Sequence, residues 1–129
     1  MDEKIKARRF LRRFLREHIG FFKDMNRQHD AWLTTRRIPY VECLIFAFED
    51  WKIIKNDPQH YCLEEGDIRK IQKLFDMIDN FDDRIQRPRN VSEHMRILAH
   101  PDWRQIRSYA GEVYDSLKYK WVDEAANDP

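Results

Sequence analysis

The stretch EKIKARRFLRRFLREHIGFFKDMNRQHDAWL, residues 3–33, reads as one long amphipathic helix. At about 100° per residue, Ala7, Phe10, Leu11, Phe14, Leu15, His18, Phe21, Phe22, Met25, His29, Trp32 and Leu33 fall on one face. The opposite face carries Arg8, Arg9, Arg12, Arg13, Arg16, Lys23 and Arg27, with Gly20 among them. A stripe so wide and so aromatic has to be buried, and one helix cannot bury its own face, so the chain must supply partner helices. The arginine face admits three readings: a solvated surface whose long stems cover apolar neighbours, a track for nucleic-acid phosphates, or a membrane-surface helix. The aromatic face is needed for a core, which argues against the membrane.

The partners follow in order. Thr34–Ile38 is a connector, and Pro39 suits the first position of a second helix over residues 40–55. Val41, Leu44, Phe48 and Trp51 lie on one side of it and Cys43, Phe46, Ile53 and Ile54 elsewhere, so it belongs in the middle of a bundle. Cys43 there reads as a small buried hydrophobe. Asn56–Gly66 is a loop by its turn residues. Asp67 then caps a third helix to about Gln86, with Ile68, Ile71, Leu74, Phe75, Ile78, Phe81 and Ile85 facing inward and Asp76, Asp79 and Asp83 in a solvated acidic row. His100-Pro101-Asp102 interrupts the chain, Asp102 reading as the N-cap of a last helix from Trp103 to about Asp123. Its stripe is Trp103, Ile106, Tyr109, Ala110, Val113, Tyr114, Leu117 and Trp121, flanked by Arg104, Arg107 and Lys118, and Ala125–Pro129 should fray.

These elements specify a single all-α domain over residues 1–129: a bundle of four main helices plus one short one. Three glycines and five prolines in 129 residues leave the helices long. Net charge is only +1, but it is unevenly spread. Residues 1–37 hold eleven basic and five acidic side chains, and residues 38–129 hold thirteen and eighteen. Such polarity suits nucleic-acid contact through the basic end or self-association of opposite patches. Cys43 and Cys62 are too few for a disulfide framework, and no Cys/His spacing suits a metal, so a reduced, cytoplasmic setting without metal or cofactor is expected. No apolar run approaches the roughly 18 residues of a membrane span. His29-Asp30 resembles the dipeptide of HD phosphohydrolases, whose other metal-ligand motifs are not found in the chain.

The short helix carries the chemistry. In Arg87-Pro-Arg-Asn-Val-Ser-Glu-His94, Asn90 is a natural N-cap and Glu93 can return to the cap's backbone N–H in a capping box. Arg89 and His94 then occupy the two positions that meet across a first turn, at a helix end that favours anions. A capped helix start with a surface arginine and a partly buried histidine is the plainer reading of the same residues.

Arg89-Asn90-Val91-Ser92-Glu93-His94 also resembles the R-x4-6-H motif of the HEPN superfamily, small all-α bundles that include metal-independent ribonucleases. Arg13 to His18 has the same spacing, but Phe14 after the arginine makes the match poorer. The resemblance implies His94 as acid or base on a ribose 2′-hydroxyl, Arg89 as phosphate clamp and Asn90 in support, in a homodimer; the basic face of the first helix, Arg8, Arg9, Arg12, Arg13 and Arg16, is separately suited to steering RNA by long-range attraction. The alternative is a non-catalytic bundle, regulatory, immunity-like or inhibitor-like, that works by binding another protein.

Overall fold

The computed structural model describes residues 2–126, with the side chains of residues 2–118. It is all-α, and among the described residues it has no strand. Helix α1 covers residues 3–23, α2 residues 25–34, α3 Tyr40–Asn56, α4 Glu65–Arg84, α5 Val91–Ala99 and α6 Pro101–Ala126, with a 3-10 turn at Pro58–Tyr61. The C-terminal half of α1 runs against α6, which also packs on α4 and α5, while the first half of α1 meets α3 and the 3-10 turn. The last helix extends through Ala126. The side chain of Trp121, assigned to its stripe, and residues 127–129, where fraying is expected, lie outside the description.

The long first helix of the sequence reading is two helices. Asp24 breaks it with an extended backbone (φ −109°, ψ 101°), and its carboxylate accepts from the N–H groups of Asn26 and Arg27 at 3.0 and 3.2 Å. An aspartate so placed is a strong N-cap, and the four carbonyls that a helix end orphans must find other donors. Gln28, fully buried, serves two of them: its Nε2 donates to the carbonyls of Phe21 and Phe22 at 2.9 and 2.8 Å, and its Oε1 accepts the indole N–H of Trp103 at 2.9 Å. One amide thus closes α1, seats α2 and anchors α6.

Both halves contain a π-helical turn, Leu15–Ile19 in α1 and Asp30–Thr34 in α2. The i→i+5 bond from Gly20 N–H to the Leu15 carbonyl inserts an extra residue, which rotates everything beyond it by about 100° from the initial stripe. Gly20, placed on the polar face by periodicity, is therefore buried, and a Cβ there would sit 3.4 Å from the Tyr114 ring. His29 moves the other way and is exposed.

The core has two aromatic hubs. Trp103 lies 5.4 to 6.2 Å from the rings of Phe81, Trp32, Tyr40 and Phe22. Phe75 meets Phe48, Trp51, Phe14 and Phe22 at 4.9 to 6.3 Å. Phe22 joins the hubs, and such tilted and edge-on pairs add to the burial of the rings themselves.

Other cap assignments shift by a residue or more. Asp67 is the third residue of α4, where its carboxylate returns to the Glu64 N–H at 3.1 Å and Glu64 is the N-cap. The helix ends at Arg84. Pro39 is the cap of α3 rather than its first residue. His100 takes the capping role given to Asp102, its Nδ1 accepting from the Asp102 N–H at 3.1 Å, and the Asp102 carboxylate pairs with Arg84 at 2.9 Å. Helix α3 is not central: Tyr40, Leu44, Ala47, Trp51 and Ile54 are buried, while Ile45, Phe46 and Ile53 lie about half exposed on its outer side.

Replacing Gln28 with leucine removes three hydrogen bonds and leaves the Phe22 carbonyl and the Trp103 indole N–H buried without partners, while the Phe21 carbonyl keeps the Asp24 N–H at 3.1 Å. The expected loss is about 3 kcal/mol, read in urea as a lower midpoint at unchanged slope. A midpoint within error of the parent would show that the amide does not hold the break.

Candidate functional site

Asn90 is the N-cap of α5, as its sequence position suggests: its Oδ1 accepts from the Glu93 N–H at 2.9 Å. Glu93 does not return to the Asn90 N–H. Its Oε1 accepts from the Arg89 N–H at 2.9 Å, and its carboxylate also takes the Arg89 guanidinium at 3.3 Å. The two groups tune each other. The hydrogen bond from Arg89 holds the Glu93 carboxyl below the usual carboxylate range, and the same bond raises Arg89. Both belong to the solvated side of the helix start, and an exposed pair of this kind adds little to stability.

His94 points the other way. It is buried, its ring 5.9 Å from that of Trp32. The backbone N–H of Tyr40 donates to Nε2 at 3.3 Å, so Nε2 carries no proton, and Nδ1–H donates to the Asn90 carbonyl at 2.8 Å. The N–H of Tyr40 is one of the orphan donors at the start of α3, and His94 satisfies it from a different helix. Catalysis by this ring would require Nε2 to release that donor. Arg89 and His94 thus share one turn but not one cavity: one guanidinium is on the carboxylate of Glu93, and the imidazole is in the core.

Around this joint the side chains are fully engaged. The Tyr40 hydroxyl donates to Asp82 at 3.0 Å, and Arg87 binds the other oxygen of Asp82 at 3.0 Å. Burial and the adjacent Asp82 carboxylate push the Tyr40 phenol far up, so it remains a donor. The segment between α4 and α5 is held on both sides of the buried Pro88.

A second histidine sits in a more open setting. His18, in the π turn of α1, meets Asp50 of α3 at 2.7 Å. The carboxylate absent from its own helix comes from the neighbour. The pair borders a groove of about 460 Å³ whose walls include Phe21, Ala31, Ile38 and Phe46, with Glu17, Arg27 and Asp30 at the rim. Cys43 lies in the same wall. The indole N–H of Trp32 donates to its sulfur at 3.5 Å, and burial pushes the thiol up to about 11, which leaves little thiolate at neutral pH.

Of the five arginines assigned to nucleic acid, Arg13 and Arg16 are exposed, and Arg8, Arg9 and Arg12 are half-buried and engaged with neighbours. Arg13 lies 5.4 Å above the Phe10 ring. Beyond Arg16 the stripe opens into a polar groove of about 440 Å³ lined by Arg16, Lys23, Arg27 and Tyr114 together with Glu17 and Asp24. Lys23 stands 4.7 Å over the Tyr114 ring, and Arg27 donates to the Arg16 carbonyl at 2.9 Å. Periodicity did not assign this groove, because the break at Asp24 and the fold of α6 create it. Among the described residues no group of three or more His, Cys, Asp or Glu side chains is placed to hold a metal ion, and no helix is long and apolar enough to cross a membrane.

His94→Leu should cost about 2 kcal/mol by stranding the buried Tyr40 N–H, the Asn90 carbonyl keeping the backbone N–H of residue 94 at 3.0 Å, whereas Arg89→Ala should leave the urea midpoint where it is. Equal effects, or a reversed order, would show that the two residues do not divide between core and surface. In thiol titration of the native protein at pH 8, Cys62 should react promptly and Cys43 only on unfolding; two fast thiols would contradict the burial of Cys43. Compared with family models, with curated proteins and with solved structures, the chain matches none.

Proposed function

We propose that the protein binds RNA through the arginine face of α1 and the polar groove that continues it. The observation that carries the reading is the groove itself: Arg16, Lys23 and Arg27 converge beside the half-buried ring of Tyr114, in line with the exposed Arg13. Cations spaced along a groove can track a phosphate backbone, and an aromatic ring at its edge gives a base a stacking surface. Asp24 is occupied by its cap and Glu17 lies 3.6 Å from Arg27, so neither carboxylate cancels the whole cluster.

Metal-independent cleavage by Arg89, Asn90 and His94 in a homodimer is the finer form of this reading, resting on the HEPN resemblance. It asks His94 to exchange its bond with Tyr40 for one with a ribose hydroxyl, and Arg89 to exchange Glu93 for a phosphate. A binder without cleavage asks for neither change. The structure therefore gives more support to binding than to cutting.

A second reading, protein–protein contact with a second copy of this chain as its simplest case, is favoured by the outer face of α3, where Ile45, Phe46 and Ile53 are 47 to 50% exposed. Exposed apolar side chains grouped on one helix face are the usual mark of a contact surface.

The test is anisotropy of a labelled single-stranded RNA across a salt series. Wild type should bind with an affinity that falls steeply with salt, and the Arg13→Ala/Arg16→Ala pair should flatten the slope by about 1 in log–log units. Absence of binding at low salt, or variants with the wild-type slope, would overturn the reading. The same RNA incubated in EDTA with wild type, Arg89→Ala and His94→Gln decides the finer form: cutting that both folded variants lose would establish it, and intact RNA would reject it. Sedimentation of wild type against Phe46→Ser/Ile53→Ser reads the second surface, with self-association lost in the variant as the outcome that supports it.

A further inference from the structure

On another face, α2, α5 and α6 enclose a groove of about 430 Å³. Its walls are Met25 and Leu33 from α2 and Met95 and Leu98 from α5, and Arg104 and Arg107 of α6 close it. The two methionines are 48 and 54% exposed. Methionine is the side chain that best adapts to a varied apolar occupant.

The arginines are the anomaly. Nη1 of Arg107 is sealed from solvent and donates to nothing, the one buried side-chain nitrogen or oxygen among the described residues without a partner. Elsewhere the buried polar groups are satisfied, Gln28 and His94 at every polar atom described above. A desolvated guanidinium N–H is expensive to leave unmade. Arg104, one turn earlier, adds a like charge instead of relieving it, and burial together with that charge lowers Arg107. Neither side chain makes an ion pair among the described residues, and the groove wall contains no carboxylate. A concave, mostly apolar site with a few convergent polar groups is what a small ligand needs, and the volume is in the usual range of about 300 to 1,000 Å³.

We propose that this groove binds a small amphiphilic carboxylate, such as a medium-chain fatty acid. Its carboxylate accepts from the guanidinium groups of Arg104 and Arg107, the latter turning to bring its sealed Nη1 to the groove, and its chain lies along Met25, Leu33, Met95 and Leu98. A carboxylate suits the place better than a phosphate monoester. It offers two oxygens to two guanidinium groups, and a monoanion is less costly to desolvate than a dianion. The site is on other residues than the RNA groove and does not depend on that reading.

The experiment is titration of decanoate, below its micellar concentration, into protein labelled at the methionine methyl groups. The Met25 and Met95 methyls should shift along one saturable curve while that of the half-buried core residue Met77 stays in place. Uncharged decanol should bind roughly tenfold or more weakly. Arg107→Gln should lose affinity by a similar factor, and Met25→Glu, a change at an exposed position that cannot unfold the core, should abolish binding by placing a negative charge at the mouth. Unmoved methyls, decanol binding as tightly as decanoate, or a curve unchanged by both substitutions would each overturn the proposal.

Discussion

Much of this fold depends on a single buried amide. Gln28 is where the end of α1, the first turn of α2 and the Trp103 hub of α6 are joined, and it is satisfied on both its nitrogen and its oxygen. Without it, the break at Asp24 would leave the Phe22 carbonyl of α1 and the Trp103 indole N–H in the core without their partner. The break in turn makes room. It lets α2 fold back beside α5, which forms the apolar groove closed by Arg104 and Arg107, and it exposes the Arg16, Lys23 and Arg27 groove on the other side.

A similar economy operates at the start of α3. Proline at the cap has no side-chain oxygen with which to hold the first N–H groups, so Tyr40 takes its acceptor from His94 across the bundle and anchors its hydroxyl on Asp82. The segment whose residues most resemble a catalytic motif is thereby the segment that locks α3 to α5. Structural and catalytic uses of histidine draw on the same lone pair, and in this conformation the fold has taken it. The cluster of Arg16, Lys23 and Arg27 beside Tyr114 lies on a different part of the fold.

The site residues were legible to different degrees for physical reasons. Asn90 was readable as a cap because capping is a local interaction spanning three residues, and Cys43, read as buried from the apolar run around it, is half-buried in the wall of a groove. The orientation of Arg89 was not readable, because spacing alone does not say whether Glu93 or a ligand will hold the guanidinium. Periodicity put His18 on the apolar face of the first helix without showing its partner. Asp50, 32 residues away, is that partner. The orphaned Nη1 of Arg107 has no signature in the sequence at all, since it is defined by what three other segments fail to place beside it.

By itself the sequence determined the all-α class, the inward faces of α4 and α6, and the concentration of positive charge at the N-terminal end, because helix periodicity and charge are properties of neighbouring residues. Tertiary structure decided where the first helix breaks, which of its faces is buried after the π turn, and which side of α3 is left to solvent. Those outcomes are set by partners far along the chain: Trp103 lies 75 residues from Gln28, and His94 lies 54 from Tyr40. A hydrogen bond over such a separation leaves no local pattern, yet its energy is enough to outweigh the modest preference of a few residues for a longer helix.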